Sequence, residues 1–311
     1  MTTTSTTTPA VLAMDAGQTG ARAQLTHAGM VLHSQEFDGV LTDRPVLPQL
    51  ARIALAAVAA APRRAEVLAV GSSGLTDDMQ ADALLGLVGE GGFGQVHLAH
   101  DSTTSYLGAL GNVPGVVTAA GTGVVTLAVG ERAVARVDGW GNLIGDAGSG
   151  YWIGRAALDA VMRAHDGRGP ATALTPLAKV EFGDLEGAYM ILQGDEHRVS
   201  RIAAWSRTVG ELAAQGDEVC RAILTGAGQE LALSACAGLE RVGQAERPDP
   251  AVSTVGKVFS SPEVMQSFTD ALLARHPGAR LLPPRGTGLD GAALLPEVRA
   301  DEALASRIRR A

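Results

Sequence analysis

The chain reads as a two-lobed α/β protein, and three observations carry that reading. It has 311 residues, 46% of them hydrophobic, enough material for two domains or one large one. Short apolar strands alternate with helical stretches along most of its length. A strand–turn–strand hairpin with a small glycine and threonine turn opens each half, at 17–20 and again at 121–123. Two related α/β lobes facing one another across a cleft explain that echo.

The elements follow in order. Val11 to Met14 is a short apolar strand, followed by the polar turn Asp15-Ala16-Gly17-Gln18-Thr19-Gly20. Ala21 to Leu25 and Met30 to Ser34 alternate as strands. Pro48 to Ala61 is an alanine-rich helix, and Val67 to Val70 is a strand ending at Gly71-Ser72-Ser73-Gly74. Asp77 to Val88 is a helix, Val96 to Ala99 a strand, and Thr103 to Leu110 a helix. The pattern then restarts with a strand at Val116 to Ala119, the turn Gly121-Thr122-Gly123, and a strand at Val124 to Val129. Helices follow over Tyr151 to Ala164, Leu185 to Leu192, Ile202 to Ala214 and Asp217 to Val242. A strand at Ala251 to Val255, a helix at Pro262 to Ala274, a strand at Arg280 to Leu282 and a last helix from Gly288 complete the chain. The expected division is a disordered N-terminus over 1–9, a first lobe over 10–118 joined by a C-terminal helix over 288–311, and a helix-rich second lobe over 119–287.

Composition narrows the function. Net charge is −8 with no basic stripe, which argues against nucleic acid as a partner. No apolar run reaches the length of a membrane span, and the threonine-rich start lacks the basic and apolar regions of a signal peptide, so the expected location is the cytoplasm. Cys220 and Cys236 fall in helical patterns and read as reduced, buried thiols. The seven histidines form no HxxxH or HExxH set. Gly89-Glu90-Gly91-Gly92-Phe93-Gly94 fits the dinucleotide and kinase glycine strings, but a helix precedes it and a strand follows, the reverse of the dinucleotide context. No lysine follows on that strand, so it reads as a loop.

The densest chemistry lies between Asp138 and Arg155, where six glycines, two tryptophans and Asp146 share eighteen residues. Glycine loses the most backbone entropy on ordering, so glycines crowded around acids and aromatics mark close approach to a ligand. The two hairpin turns are either plain hairpins or anion cradles built from backbone N–H groups and threonine hydroxyls. With Asp15 ahead of the first, the second reading is a phosphate chain held by both turns, with Asp15 holding Mg²⁺ through water. Asp101, after a strand and before a helix, is either a helix N-cap or a general base at the cleft. His100 stands beside it. Asp146 is a second acid within reach, and Trp140 either stacks on a sugar face or packs in the core.

These residues resemble a known family. Asp15-Ala-Gly-Gln-Thr19, His100-Asp101, Gly121-Thr-Gly123, Gly139-Trp-Gly141 with Gly145-Asp146-Ala-Gly148-Ser-Gly-Tyr-Trp-Ile-Gly154, and Gly256-Lys-Val-Phe occur in the order seen in N-acetylglucosamine kinases and BadF/BadG-type ATPases. These belong to the actin–hexokinase–Hsp70 superfamily, and the resemblance runs from Val11 to Leu295. It implies two ribonuclease-H-like lobes of the actin-like ATPase fold, with ATP and Mg²⁺ in the interlobe cleft. Asp15, Gly17, Thr19, Gly121, Thr122 and Gly123 would then face ATP, with Gly256 and Ser260 near the nucleotide. Asp101 matches the base that takes the sugar hydroxyl's proton, and Gly139, Trp140, Gly141 and Asp146 match the sugar-binding loop. Asp15 and Asp146 are the expected carboxylates for Mg²⁺, through water. Three departures stand out: Gly20-Ala21 after the first turn where the family has Lys-Thr, Val124-Val125 after the second where it has Ser, and no counterpart of a sugar-holding asparagine in the first lobe. Thr42 or Asp43 would fill that place.

The expected activity is an ATP-dependent sugar kinase, transferring the γ-phosphate to a hydroxyl of a hexose or an amino sugar such as glucosamine or N-acetylglucosamine. The alternatives are an ATPase activator of a 2-hydroxyacyl-CoA dehydratase type, which needs exposed cysteines for a shared iron–sulfur cluster, and a non-catalytic sugar or nucleotide sensor. The partner expected is a small-molecule sugar, and family likeness makes a homodimer plausible.

Overall fold

The computed structural model describes residues 9–18, 20–76 and 78–311. The elements run β1 (Val11–Ala16), β2 (Ala21–His27), β3 (Met30–Phe37), α1 (Val46–Ala60), β4 (Val67–Ser72), α2 (Ala81–Leu87), β5 (Gln95–His100) and α3 (Asp101–Leu110). They continue with β6 (Gly115–Ala120), β7 (Val124–Val129), β8 (Val134–Val137), α4 (Gly150–His165), α5 (Leu174–Phe182), α6 (Ala188–Gln193), α7 (Arg198–Ala214) and α8 (Glu218–Arg241). Last come β9 (Ala251–Val255), α9 (Pro262–Arg275), β10 (Arg280–Leu282), α10 (Gly288–Ala293) and β11 (Ile308–Arg310). The chain divides into two compact units. One takes the described residues up to Val113 with Val129–Val134 and Pro283–Ala311; the other takes Pro114–Ala128 and Ala135–Leu282.

The first unit holds a six-stranded sheet, ordered β11-β5-β4-β1-β2-β3. β1 pairs antiparallel with β2 and parallel with β4, and β4 pairs parallel with β5. Because strand side chains alternate between faces, Leu12, Met14 and Ala16 point into a core with Leu50, Ile53 and Leu84 of the α1 and α2 side. Ala13 points the other way, against Leu289 and Ala292 of α10. Asp15 shares the parity of Ala13, so its carboxylate emerges on the α10 face. There α3 and α10 cross with backbones in contact: a side chain on Gly108 would strike the Thr287 carbonyl, and one on Gly291 the Thr104 carbonyl.

The second unit repeats the motif. Its sheet runs β10-β9-β6-β7-β8. β6 again has a hairpin partner on one side, β7, and a parallel partner on the other, β9. The buried Thr118 and Thr126 hydroxyls meet at 2.9 Å across the hairpin. Helices α4, α7, α8 and α9 supply most of the core, including Trp205, Leu231 and Phe268.

Several expectations change. The helix expected over 288–311 stops at Ala293, and single turns of 3-10 helix and the edge strand β11 follow. Pro296 lacks the amide a continuing helix needs, and Ile308 instead pairs antiparallel with Ala99 of β5. The break expected between 118 and 119 falls inside β6, whereas the two units part between Val113 and Pro114. The helix expected from Asp77 begins at Ala81; Asp77 itself lies outside the described residues. So does the N-terminal segment read as disordered, apart from the exposed Pro9.

Candidate active site

In the first unit, the ends of β1, β4 and β5 gather a set of polar groups, where open α/β sheets place their ligands. The Gly17–Gly20 turn is closed by the Gly17 amide donating to the Gly20 carbonyl at 3.0 Å, and Val40 donates to the Gly17 carbonyl at 2.9 Å. Gly39 lies against the Gln18 carbonyl with no room for a side chain. Thr19, expected at the phosphates, lies outside the described residues. The segment after Gly39 carries Thr42, whose methyl would be 2.5 Å from a Cβ on Gly74. Ser73 in turn donates its amide to the Ala16 carbonyl at 3.1 Å. Thr42 is therefore linked by packing to the end of β1, and Asp43 is exposed beside it.

Asp15 sits opposite Gly71 on β4 and Arg22 on β2. Gly71 has no side chain, and its place is filled by Thr104 of α3. A Cβ on Gly288, the first residue of α10, would lie 2.9 Å from Asp15 Oδ2. Burial pushes the Asp15 carboxyl up to about 6; the negative charge of Asp101 adds to this, and Arg22 opposes it. Two carboxylates thus feel each other at the head of the sheet. Asp101 is not the N-cap of α3. That position belongs to His100, and Asp101 is the first helical residue, with a third of its side chain exposed. Its carboxylate is therefore not consumed by the helix end and is open to a reactant.

In the second unit, the Gly121 amide donates to the Gly123 carbonyl at 2.8 Å to close the turn. The start of α4 sits on that turn: Gly150 donates to the Gly121 carbonyl at 2.8 Å and Tyr151 to the Thr122 carbonyl at 3.0 Å. Ser149 caps α4, its hydroxyl accepting from the Trp152 amide at 3.2 Å. Thr122 is exposed. Gly256, at φ 101°, lies against the Ala120 carbonyl, so the end of β9 adjoins the turn. Ser260, four residues on, is exposed.

The glycine-rich loop is organised by an acid that the sequence reading passed over. Asp138 Oδ1 accepts from the Gly139 and Asp146 amides, each at 2.7 Å, and Oδ2 from the Ala147 amide at 2.9 Å. It stands at φ 56° and Asp146 at φ 59°, a left-handed backbone that only a strongly tied loop holds in non-glycine residues. Asp146 is buried. Its Oδ1 accepts from the Gly141 amide at 3.2 Å, and the Val124 amide also donates to the carboxylate. Burial raises the Asp146 carboxyl above its usual range; the Gly141 amide opposes this, the charge of Asp138 adds to it, and the Val124 amide opposes it. A Cβ on Gly123 would be 2.7 Å from Asp146 Oδ2, so the carboxylate is pressed onto the second turn. Gly139 packs on Val125. Trp140 is not core: it is 55% exposed, with the Arg136 guanidinium stacked 4.1 Å above its ring.

The structure therefore gathers Asp15, Gly17, Thr42 and Asp101 in one unit, and Gly121, Thr122, Gly123, Gly139, Gly141, Asp146 and Gly256 in the other. Asp138, Ser149 and Gly288 were missed. An acid directly before Gly-Trp-Gly was the available signal for Asp138; Gly288 gave none. The Gly89–Gly94 string is a turn between α2 and β5, with Gly92 in the left-handed region. Cys220 and Cys236 are buried and unbridged, and burial pushes the Cys220 thiol up to about 12. Neither suits a cluster shared at a surface. Among the described residues no helix is long and apolar enough to cross a membrane.

Comparison with known proteins settles the ancestry. The BadF/BadG/BcrA/BcrD ATPase family model matches residues 4–296. The chain belongs to that family. Within 214 aligned residues, 68% of this chain and 70% of the relative, it is 26% identical to the N-acetylmuramic acid/N-acetylglucosamine kinase of Clostridium acetobutylicum. It is 30% identical to the N-acetyl-D-glucosamine kinase of Dictyostelium discoideum over 193 residues, 60% of each chain. A Chromobacterium violaceum structure provisionally named N-acetylglucosamine kinase superposes with a TM-score of 0.73 at 26% identity, covering 93% of this chain and 99% of that one. This member of the family has the actin-like ATPase fold of those sugar kinases.

Proposed function

We propose that this chain is an ATP-dependent sugar kinase that transfers the γ-phosphate to a hydroxyl of a hexose or amino sugar. The observation that carries the reading is Asp101: a partly exposed carboxylate at the strand ends, one residue past the N-cap position of α3, in a chain related to N-acetylglucosamine kinases. It accepts the hydroxyl proton as the sugar oxygen attacks phosphorus. Phosphoryl transfer asks little covalent chemistry of the protein, so positioning and charge stabilisation do the rest. The Gly17–Gly20 and Gly121–Gly123 turns supply backbone donors for the phosphates. Trp152, two residues after the Gly150 amide that ties α4 to the second turn, lines an apolar groove of 760 Å³ with Ile223 and Ala222. That groove suits the base of the nucleotide.

Asp15 fits a magnesium ion held through water. It is a hard oxygen donor once ionised, and the neighbouring charge of Asp101 favours a nearby cation. When bound, the ion neutralises phosphate charge. Asp146 is mostly engaged by amides, and its part in the reading is to fix the Gly139–Gly141 loop that meets the sugar. The buried, unbridged cysteines support a reducing, cytoplasmic setting. Light scattering on the purified chain reads whether it pairs as a homodimer.

Val124-Val125 and the Thr42-Asp43 segment depart from the family's sugar contacts, so the acceptor is best read directly. A coupled ADP-release screen over glucose, glucosamine, N-acetylglucosamine, N-acetylmuramic acid, mannose and 1,6-anhydro sugars should show one or a few strongly stimulating sugars. ATP turnover that no sugar changes would refute the kinase reading.

A further inference from the structure

Three polar groups converge on one ring nitrogen. His100 Nδ1 lies 2.7 Å from Asp101 Oδ1, 3.0 Å from Ser102 Oγ and 3.2 Å from the Ser102 backbone nitrogen. A neutral imidazole nitrogen offers one lone pair or one N–H, never both. The Ser102 amide can only donate, so that contact needs a bare Nδ1. An ionised Asp101 can only accept, so that contact needs Nδ1–H. The serine hydroxyl suits either. The contact to the carboxylate is the shorter by half an ångström and is charge-assisted, about twice as strong as a neutral bond. It therefore decides the tautomer. The Ser102 amide gives up its cap.

We propose that His100 is a positioning residue for the phosphoryl transfer, donating Nδ1–H to Asp101 Oδ1 so that Oδ2 is the oxygen left to take the sugar hydroxyl's proton. This rests on the reading of Asp101 as the base. The donor fixes the carboxylate's rotation at the first residue of α3, where neither strand β5 nor the helix would otherwise hold it. Ser102 Oγ accepts from the same N–H or stands aside.

Two substitutions separate positioning from capping. Asn places an acceptor and a donor where the imidazole has Nδ1, so His100→Asn can cap α3 and still hold Asp101. Asp caps equally well but has no donor and repels the neighbouring carboxylate. We expect His100→Asn to keep kcat within about threefold of the parent and His100→Asp to lose about tenfold or more, the scale on which misplaced catalytic groups lose rate. KM for ATP and the melting temperature should be alike in the two. Equal kcat in the two variants, or a loss that follows melting temperature, would overturn the proposal. A second measurement needs no turnover. ¹⁵N spectra of histidine-labelled protein, taken where the imidazole is neutral, should show His100 as the Nδ1–H tautomer in the parent and as Nε2–H in Asp101→Ala. Nε2–H in the parent would equally overturn it. Failure of the reading of Asp101 as the base shows separately, as full turnover in Asp101→Asn.

Discussion

Gly288 faces Asp15 so closely that one added methyl group would sit 2.9 Å from its Oδ2 and 3.1 Å from its Cγ and Oδ1. The first residue of α10 thus makes room for the carboxylate that leads the first turn. Gly288 has an ordinary helical backbone rather than a left-handed one, so alanine there meets no backbone strain, and alanine is the better helix former. The three nearest atoms it would meet all belong to the Asp15 carboxylate. Gly288→Ala should keep the far-ultraviolet circular dichroism of the parent while lowering turnover by about 10²-fold, the scale of a displacement near 1 Å at a reacting centre. Unchanged turnover would show that the position of Asp15 is not critical.

Asp15 also sets a pH signature. Its folded carboxyl titrates at about 6, above the unfolded value of about 3.9. Between those values the folded state binds more protons than the unfolded state, so stability falls as pH rises through that window. The contribution is complete below the lower value and gone above the higher. In metal-free buffer Asp15→Asn should melt above the parent at neutral pH, and the gap should close as pH drops below about 4. A gap that is constant across pH would mean that the charge on Asp15 is not the cause.

Asp138 ties three amides of the glycine-rich loop proposed to meet the sugar. Hydrogen bonds to charged groups contribute about 1.5–3 kcal/mol each, though not additively, so Asp138→Ala should loosen the whole segment from Gly139 to Ala147. Steady-state kinetics should show KM for the sugar rising by about tenfold or more, which corresponds to about 1.4 kcal/mol. KM for ATP should move less. Asp138→Asn keeps one acceptor oxygen and should fall between. An unaltered sugar KM in Asp138→Ala would remove that loop from substrate binding.

The α3–α10 crossing predicts a purely structural effect. A methyl group on Gly291 would run into the Thr104 carbonyl, which is backbone and cannot rotate away. Gly291→Ala should lose about 1–3 kcal/mol, the usual cost of overpacking, read as a lower urea midpoint. A midpoint equal to the parent's would mean that the two helices separate freely.

Much of this was legible in the sequence because it depends on local chemistry. The Gly/Thr turns, the acid before the first and the carboxylate after the β5 strand all announced themselves by residue type and order, and the two-sheet architecture followed from the repeated hairpin. What escaped depends on contacts distant in the chain. Gly288 matters only because Asp15 lies against it, and 273 positions separate them. β11 is three residues long and is a strand only because β5 offers an edge. Trp140 could have been read either way, because exposure is a property of the folded surface. The choice of His100 over Asp101 as the α3 cap turns on backbone angles that residue type does not specify.

The most direct test of the account is Asp101→Asn, measured for ADP release with the best sugar and, separately, for nucleotide binding by calorimetry. Removing a general base costs about 10²–10⁴-fold in rate, so kcat should fall by at least that range while the nucleotide dissociation constant stays near the parent's. Turnover close to the parent's in a folded, nucleotide-binding variant would contradict the assignment of Asp101 on which the mechanism stands.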